Sequence, residues 1–212
     1  MRTKTIGIIG AGKLGMVLAQ LALKAGFSVY ISGSGEPENI KLAVSALAPG
    51  AIAANNEAVV RNTDVVILAI PLGKFRQIPA DLLVDKLVID ATNYWWEVDG
   101  PREAILPNNQ STSEAIQEYF SSASIVKALS HMGYHHLHDE PRLAGETERK
   151  AIAIAGDDIN DITIVSNIVD SFGFDPLHIG DLAEGSKLEP ASPAFGANTG
   201  KQELRKLTNT LG

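Results

Sequence analysis

The chain has 212 residues, 45% hydrophobic and 20% charged, with a formal net charge of −7. That length suits one domain able to bury its own core, and the acidic balance argues against a nucleic-acid surface, which would carry a basic patch. There is no cysteine, which excludes disulfides, thiolate metal sites and a cysteine nucleophile, and fits a reducing cytoplasm. No apolar stretch approaches the ~18 residues of a membrane span. Met1-Arg2-Thr3-Lys4 leads straight into an apolar run, leaving no room for a signal peptide, so a soluble cytoplasmic protein without membrane contact is expected.

Thr5-Ile6-Gly7-Ile8-Ile9 reads as a buried strand, and Gly10-Ala11-Gly12-Lys13-Leu14-Gly15 follows it directly. Leu14, Val17, Leu18, Leu21, Ala22 and Ala25 then fall on one face of a helix that stops at Gly26. A lone GxGxxG is weak evidence, whereas GxGxxG between a buried strand and an amphipathic helix predicts a dinucleotide site. Gly10 serves the tight turn, Gly12 the close approach to a pyrophosphate and Gly15 the packing of helix on strand. The free amides and dipole of the helix start favour the phosphates.

Residues 27–31 form a second strand, Ser32-Gly33-Ser34-Gly35-Glu36-Pro37 a turn, and 38–47 a helix ended by Pro49-Gly50. A short strand at 51–54 and a helix through Arg61 precede two continuous apolar runs, 64–70 and 87–91, as expected for parallel strands covered on both faces. Further elements are a helix near 111–122, strands at 124–129 and 151–156, and a helix with Ile162, Val165, Ile168 and Val169 on one side, capped by Asp157 or Asp158. A short strand at 175–178 and a helix from Lys201 carrying Leu204, Leu207 and Leu211 complete the chain. The alternation specifies an α/β fold, a Rossmann-type doubly wound, mostly parallel sheet in a single domain. That domain, with its substrate loops, spans residues 1–198, followed by a C-terminal helical tail at 199–212. No stretch is long enough for a separate helical substrate domain, so strand-end loops or a second subunit must handle the small-molecule substrate. A homodimer is expected.

The segments Ile6–Gly15, Asp64–Pro71, Val88–Asn93, Ile125–Ala128, Ile154–Asp158 and Lys187–Pro190 together resemble the coenzyme F-420 (deazaflavin)-dependent NADP oxidoreductases. They are also similar to relatives of unassigned substrate and to the reductase domains of six-transmembrane metalloreductases. The resemblance implies that Ala11, Gly12, Lys13 and Leu14 surround the pyrophosphate. It also implies that Ile70 and Pro71 run beside the nicotinamide ribose and that Ala91, Thr92 and Asn93 border the nicotinamide. The crevice rule for open α/β sheets agrees, because these residues follow the carboxyl ends of strands. Asp90 reads either as the cap of a neighbouring turn or as an active-site acid.

An NAD site usually ends its second strand in a carboxylate. Here Ser32-Gly33-Ser34-Gly35 stands in that place, which favours NADP over NAD, with Ser32 and Ser34 as hydroxyl donors. Family members often show Gly-Ser-Arg there. This chain lacks that arginine, leaving Lys41 on the next helix as the candidate cation. For the second ring, a flavin or deazaflavin acceptor, two features stand out. Tyr94-Trp95-Trp96 offers aromatic faces for stacking, and His131-Met132-Gly133-Tyr134-His135-His136-Leu137-His138 concentrates four of the five histidines. His131, nearest the strand end, and Asn93 are the candidates for the chemical step. The histidine spacing matches no zinc pattern, so no metal is expected. Ser130 stands where family members tend to carry Asn, in Lys127-Ala128-Leu129-Ser130, which leaves the acceptor open. The competing readings are a reductase of a small imine or carbonyl compound and a non-catalytic NADP(H) sensor.

Overall fold

The computed structural model describes residues 3–106 and 110–209. Leu211, expected on the inner face of the tail helix, and Met1-Arg2 lie outside them. The strands are β1 (Thr5–Ile9), β2 (Ser28–Ser32), β3 (Ile52–Ala53), β4 (Val65–Leu68), β5 (Leu87–Asp90), β6 (Ser124–Lys127), β7 (Ala151–Ala155) and β8 (Asp175–Gly180). The α-helices are α1 (Lys13–Lys24), α2 (Glu38–Leu47), α3 (Asn56–Arg61), α4 (Trp96–Asp99), α5 (Arg102–Ile105), α6 (Thr112–Tyr119), α7 (Tyr134–Asp139), α8 (Ile159–Ser171) and α9 (Lys201–Asn209). Short 3-10 segments run over Leu72–Gln77, Ala80–Leu83 and Leu182–Leu188.

Among the described residues the strands form one sheet in the order β3-β2-β1-β4-β5-β6-β7-β8, the doubly wound arrangement expected from the alternating segments. Central strands β4 and β5 are buried at every position, because helices cover both faces and leave no polar side for the alternation seen in half-exposed sheets. Each face has its own apolar layer. Ile6, Ile8, Ile67, Ile89 and Leu18 belong to one, and Val66, Leu68, Val88, Phe75 and Phe120 to the other. Helix α1 ends where Gly26 takes φ +88, with Phe27 N–H donating to Ala22 O and Gly26 N–H to Leu23 O. This Schellman closure reverses the chain into β2. A third, smaller layer seats α9: Leu204 is fully buried against Ala151, Ala153 and Leu177.

β1 through β6 are parallel, and β7 reverses. Its one register pair with β6 is Lys127↔Ala155, the last residue of each. The β7–β8 pair therefore extends past the carboxyl end of β6 and flanks residues 128–131. The sixth strand stops two residues short of the expected 129, because Leu129 adopts φ +63, a left-handed conformation that ends extended pairing. The histidine-rich stretch contains the helix α7, packed on α1.

Candidate functional site

β1 delivers Gly10 at φ +121, where a Cβ would stand 2.2 Å from Ala69 O, and a Cβ on Gly15 would stand 1.8 Å from Gly10 O. These two glycines are steric requirements of the turn. Gly12 differs: a Cβ there meets nothing within 4 Å, so the space in front of it is open. Helix α1 starts at that open space without a side-chain cap, and its first turn holds no acidic residue. By contrast, Asn55, Ser111 and Asp158 cap α3, α6 and α8 through their side chains. The bare amides of α1 are the donors an anion would cap.

A cleft of about 530 Å³ opens from this point, lined by Gly10, Ala11, Gly12, Gly33, Ser34, Gly35, Ile40, Asn56, Ile70, Pro71, Lys74 and Gln77 among others. It lies where the strand order turns outward from β1 to β4, the usual ligand crevice of such sheets. Lys13 and Leu14 do not line it. The Lys13 ammonium instead stands 5.6 Å from the centre of the Tyr134 ring, joining the start of α1 to α7. Ser34 is exposed at the cleft, whereas Ser32 is 1% exposed and its Oγ donates to Asn56 Oδ1 at 2.6 Å. The hydroxyl of Ser32 is thus engaged within the protein. Lys41 lines a different depression with Pro37, Glu38 and Val44, so the cation expected from α2 is absent from the cleft.

At the carboxyl ends of β5 and β6 lies a fully buried ion pair, Asp90 with Lys127 at 3.0 Å. Lys127 Nζ donates also to Thr92 O at 2.6 Å and Thr112 Oγ1 at 3.1 Å, which uses all three of its protons. Asp90 accepts from Ser113 Oγ at 2.6 Å and from Thr92 N–H at 2.8 Å. Asp90 therefore caps the turn that follows it, and Lys127 fixes the carbonyl of the same turn. Nearby, the Glu189 carboxylate accepts from Thr112 N–H and pairs with Arg102 at 3.3 Å. The C-terminal segment is thereby tied to the start of α6.

This scaffold presents Thr92 and Asn93. Asn93 Nδ2 donates to Ser130 O at 2.6 Å, while Asn93 Oδ1, Thr92 Oγ1 and Ser130 Oγ are buried without a partner. Three unsatisfied polar atoms on two adjoining strand ends are costly and mark a place built for a polar ligand group. Ala91, 2% exposed, lies beneath them. Trp95 meets Phe195 edge to face at 5.5 Å, while Trp96 is 61% exposed.

His131 departs from its expected role as a titrating proton donor. It is 1% exposed, and its Nε2 accepts from Ala153 N–H at 3.1 Å, supplying a bond that β7 would otherwise receive from a strand. Burial lowers its pKa from the ordinary 6.5 to about 4, so near neutral pH the ring is uncharged, and its Nδ1 is buried without a partner. The unfolded chain binds this proton below its ordinary pKa and the folded chain only below about 4. Stability from this group is therefore complete above pH 6.5, falls as the pH drops through that window and levels off below about 4. Urea unfolding between pH 7.5 and 4.5 should show this decline, and His131→Gln, which can still accept from Ala153, should flatten it. An unchanged slope in that variant would assign the decline to other groups. His135, His136 and His138 are exposed. His136 and His138, two residues apart on α7, point away from each other. Among the described residues no group of three His, Asp or Glu side chains is placed to hold a metal.

The legible signals were the glycines and the strand ends. Lys74, Gln77 and Asn56, which also line the cleft, were missed. For Lys74 and Gln77 a signal existed: apolar Leu72, Phe75 and Ile78 recur every third residue, which sets 74 and 77 on another face of a 3-10 turn.

A strand, a glycine turn, a bare helix start and a crevice at the sheet's switch point define a dinucleotide-binding domain of the Rossmann class. The family described as coenzyme F420-dependent NADP oxidoreductase matches residues 5–94, so the chain is similar to that family over its first strands and the glycine turn. Metalloreductase STEAP3 of Rattus norvegicus is 27% identical over 187 residues, 87% of this chain and 35% of that protein. The chain thus spans about a third of the length of the curated relative it matches. A hypothetical protein from Sinorhizobium meliloti superposes with a TM-score of 0.79 at 25% identity, covering 93% of this chain and 96% of the other. A candidate F420-dependent NADP reductase from Arthrobacter sp. FB24 shares the fold, with a TM-score of 0.71 at 24% identity and 87% coverage of each chain. Among the described residues no helix is long and apolar enough to cross a membrane.

Proposed function

We propose that this protein is an NADP(H)-dependent oxidoreductase that passes hydride between NADPH and a flavin- or deazaflavin-like acceptor. The observation that carries the reading is the alignment of two features along the strand ends. They are an uncapped α1 start at the open space before Gly12 and, beyond it, the unsatisfied Thr92, Asn93 and Ser130 atoms. In this reading Ala11, Gly12 and the free backbone amides of the first α1 turn would hold the pyrophosphate, and Ile70 and Pro71, which line the same cleft, would take the ribose. Thr92 Oγ1 and Asn93 Oδ1 take the polar substituents of the nicotinamide. Bound there, NADPH would supply a hydride for the acceptor ring, whose reduction is completed by one proton. Such a transfer requires the protein to hold two rings face to face and exclude water, and asks for no side-chain nucleophile. Trp95 and Phe195 give the acceptor side an apolar wall, and the Asp90–Lys127 pair keeps the Thr92–Asn93 turn rigid.

The test is calorimetric titration with NADPH, then titration of that complex with FMN, FAD and a deazaflavin. NADPH oxidation by whichever ring binds is followed afterwards. Gly12→Val is the control: it should keep the thermal midpoint of the parent, because its side chain enters empty space, and lose NADPH binding. Wild-type affinity in that variant would displace the pyrophosphate from α1. NADPH binding with no saturable binding of any ring would overturn the acceptor assignment.

A further inference from the structure

The cleft that runs from Gly12 to Ser34 holds one charged side chain among the described residues that line it, Lys74. We propose that Lys74 selects the 2′-phosphate of NADP(H), replacing a cation on the β2 turn. The inference rests on the nucleotide-site reading above and adds the residue that decides between NADPH and NADH.

The geometry comes from the 3-10 segment Leu72–Gln77. In that helix, positions three apart eclipse one another. Leu72 and Phe75 are fully buried and Ile78 nearly so, which fixes one edge of the segment into the core. Lys74 and Gln77, also three apart, line the cleft. Arg76 is engaged elsewhere: its Nη1 donates to Ile105 O at 2.9 Å, and its guanidinium lies 4.4 Å from the Phe75 ring centre. The segment is pinned from the other side by Asp99, whose Oδ1 accepts from Gly73 N–H and whose Oδ2 accepts from Trp95 N–H, both at 2.8 Å. Lys74 thus projects from an anchored turn, and its ammonium has no ion pair or hydrogen bond to another described residue.

The surroundings fit a phosphate. Among the described residues no carboxylate lines the cleft, and the facing turn Gly33-Ser34-Gly35 offers a hydroxyl and side-chain-free backbone. Lys41 and Glu38 open onto the separate depression beside α2. A phosphate entering here meets an unneutralised cation and one hydroxyl donor, Ser34, a charge-assisted arrangement. NADH, which lacks the phosphate, draws nothing from Lys74.

The experiment compares dissociation constants for NADPH and NADH by calorimetry on the full chain, as wild type, Lys74→Ala, Lys74→Arg and Lys41→Ala. The wild type should prefer NADPH. Lys74→Ala should weaken NADPH about tenfold, as expected for one exposed charge-assisted contact, while NADH binding stays unchanged. Lys74→Arg should retain the preference, and Lys41→Ala should match the wild type. Equal affinities in the wild type, equal weakening of both nucleotides by Lys74→Ala, or no weakening would overturn the assignment while leaving the nucleotide site standing. Binding of neither nucleotide by the wild type would overturn the site reading, and this inference with it.

Discussion

Lys127→Met is expected to lower the unfolding free energy by roughly 3–5 kcal/mol, the cost of stranding one member of a buried ion pair. The methionine matches the lysine stem in length, so little volume is lost, and the damage falls on charge. Asp90, with no exposed surface, would keep its carboxylate without the ammonium at 3.0 Å, and Thr92 O and Thr112 Oγ1 would lose their donor. Adding Asp90→Asn should recover part of the loss. An asparagine can still accept from Thr92 N–H and Ser113 Oγ, and it removes the uncompensated charge. Urea unfolding of both single variants and the double variant at fixed pH measures this coupling. Strict additivity, or a loss under 1 kcal/mol for Lys127→Met, would mean the pair contributes less than burial implies. The same variant should weaken NADPH binding, because Lys127 holds the carbonyl of the turn that presents Asn93.

Gly15→Ala is expected to abolish nucleotide binding and to lower the thermal midpoint. A methyl group there would lie 1.8 Å from Gly10 O, so α1 must move away from the β1 turn. Misplacing the first-turn amides by about 1 Å costs on the order of a hundredfold in properly oriented contacts. The contrast with Gly12 gives the experiment its meaning. Both are glycines of one motif, yet Gly12→Val should spare the fold and Gly15→Ala should strain it. Calorimetry with NADPH and a thermal melt on the two variants separate these roles. Normal NADPH binding by Gly15→Ala would show that the helix start is not the phosphate-binding element.

The motif was legible because its meaning is local. A buried strand, three glycines at fixed offsets and a helical repeat occupy Thr5 through Gly26, and short-range sterics alone dictate their geometry. The apolar runs at β4 and β5 likewise announced strands covered on both faces. Other features depended on partners distant in the chain. His131 sits in a sequence that suggests a titrating loop, yet it is buried against Ala153 N–H because β7 runs antiparallel past the end of β6. Nothing local encodes that offset. Ser32 and Ser34 are equivalent on paper. Asn56 engages one of them, twenty-four residues on.

The cation question shows the same division. Lys41 is close in sequence to the β2 turn and far from the cleft, since α2 turns it toward its own depression. Lys74 is forty residues away and lines the cleft, because the segment after β4 lies beside the β2 turn in a doubly wound sheet. The α/β class, the glycine turn, the strand ends that line the crevice and the absence of cysteine chemistry can be read from the order of residues alone. These follow from backbone sterics and hydrophobic periodicity, which act over a few residues. Which hydroxyls and cations face the crevice, the mutual pairing of Asp90 and Lys127, and the neutrality of His131 emerge only once the chain is folded. Those outcomes depend on burial and on pairing across the sheet, set by the packing of segments tens of residues apart.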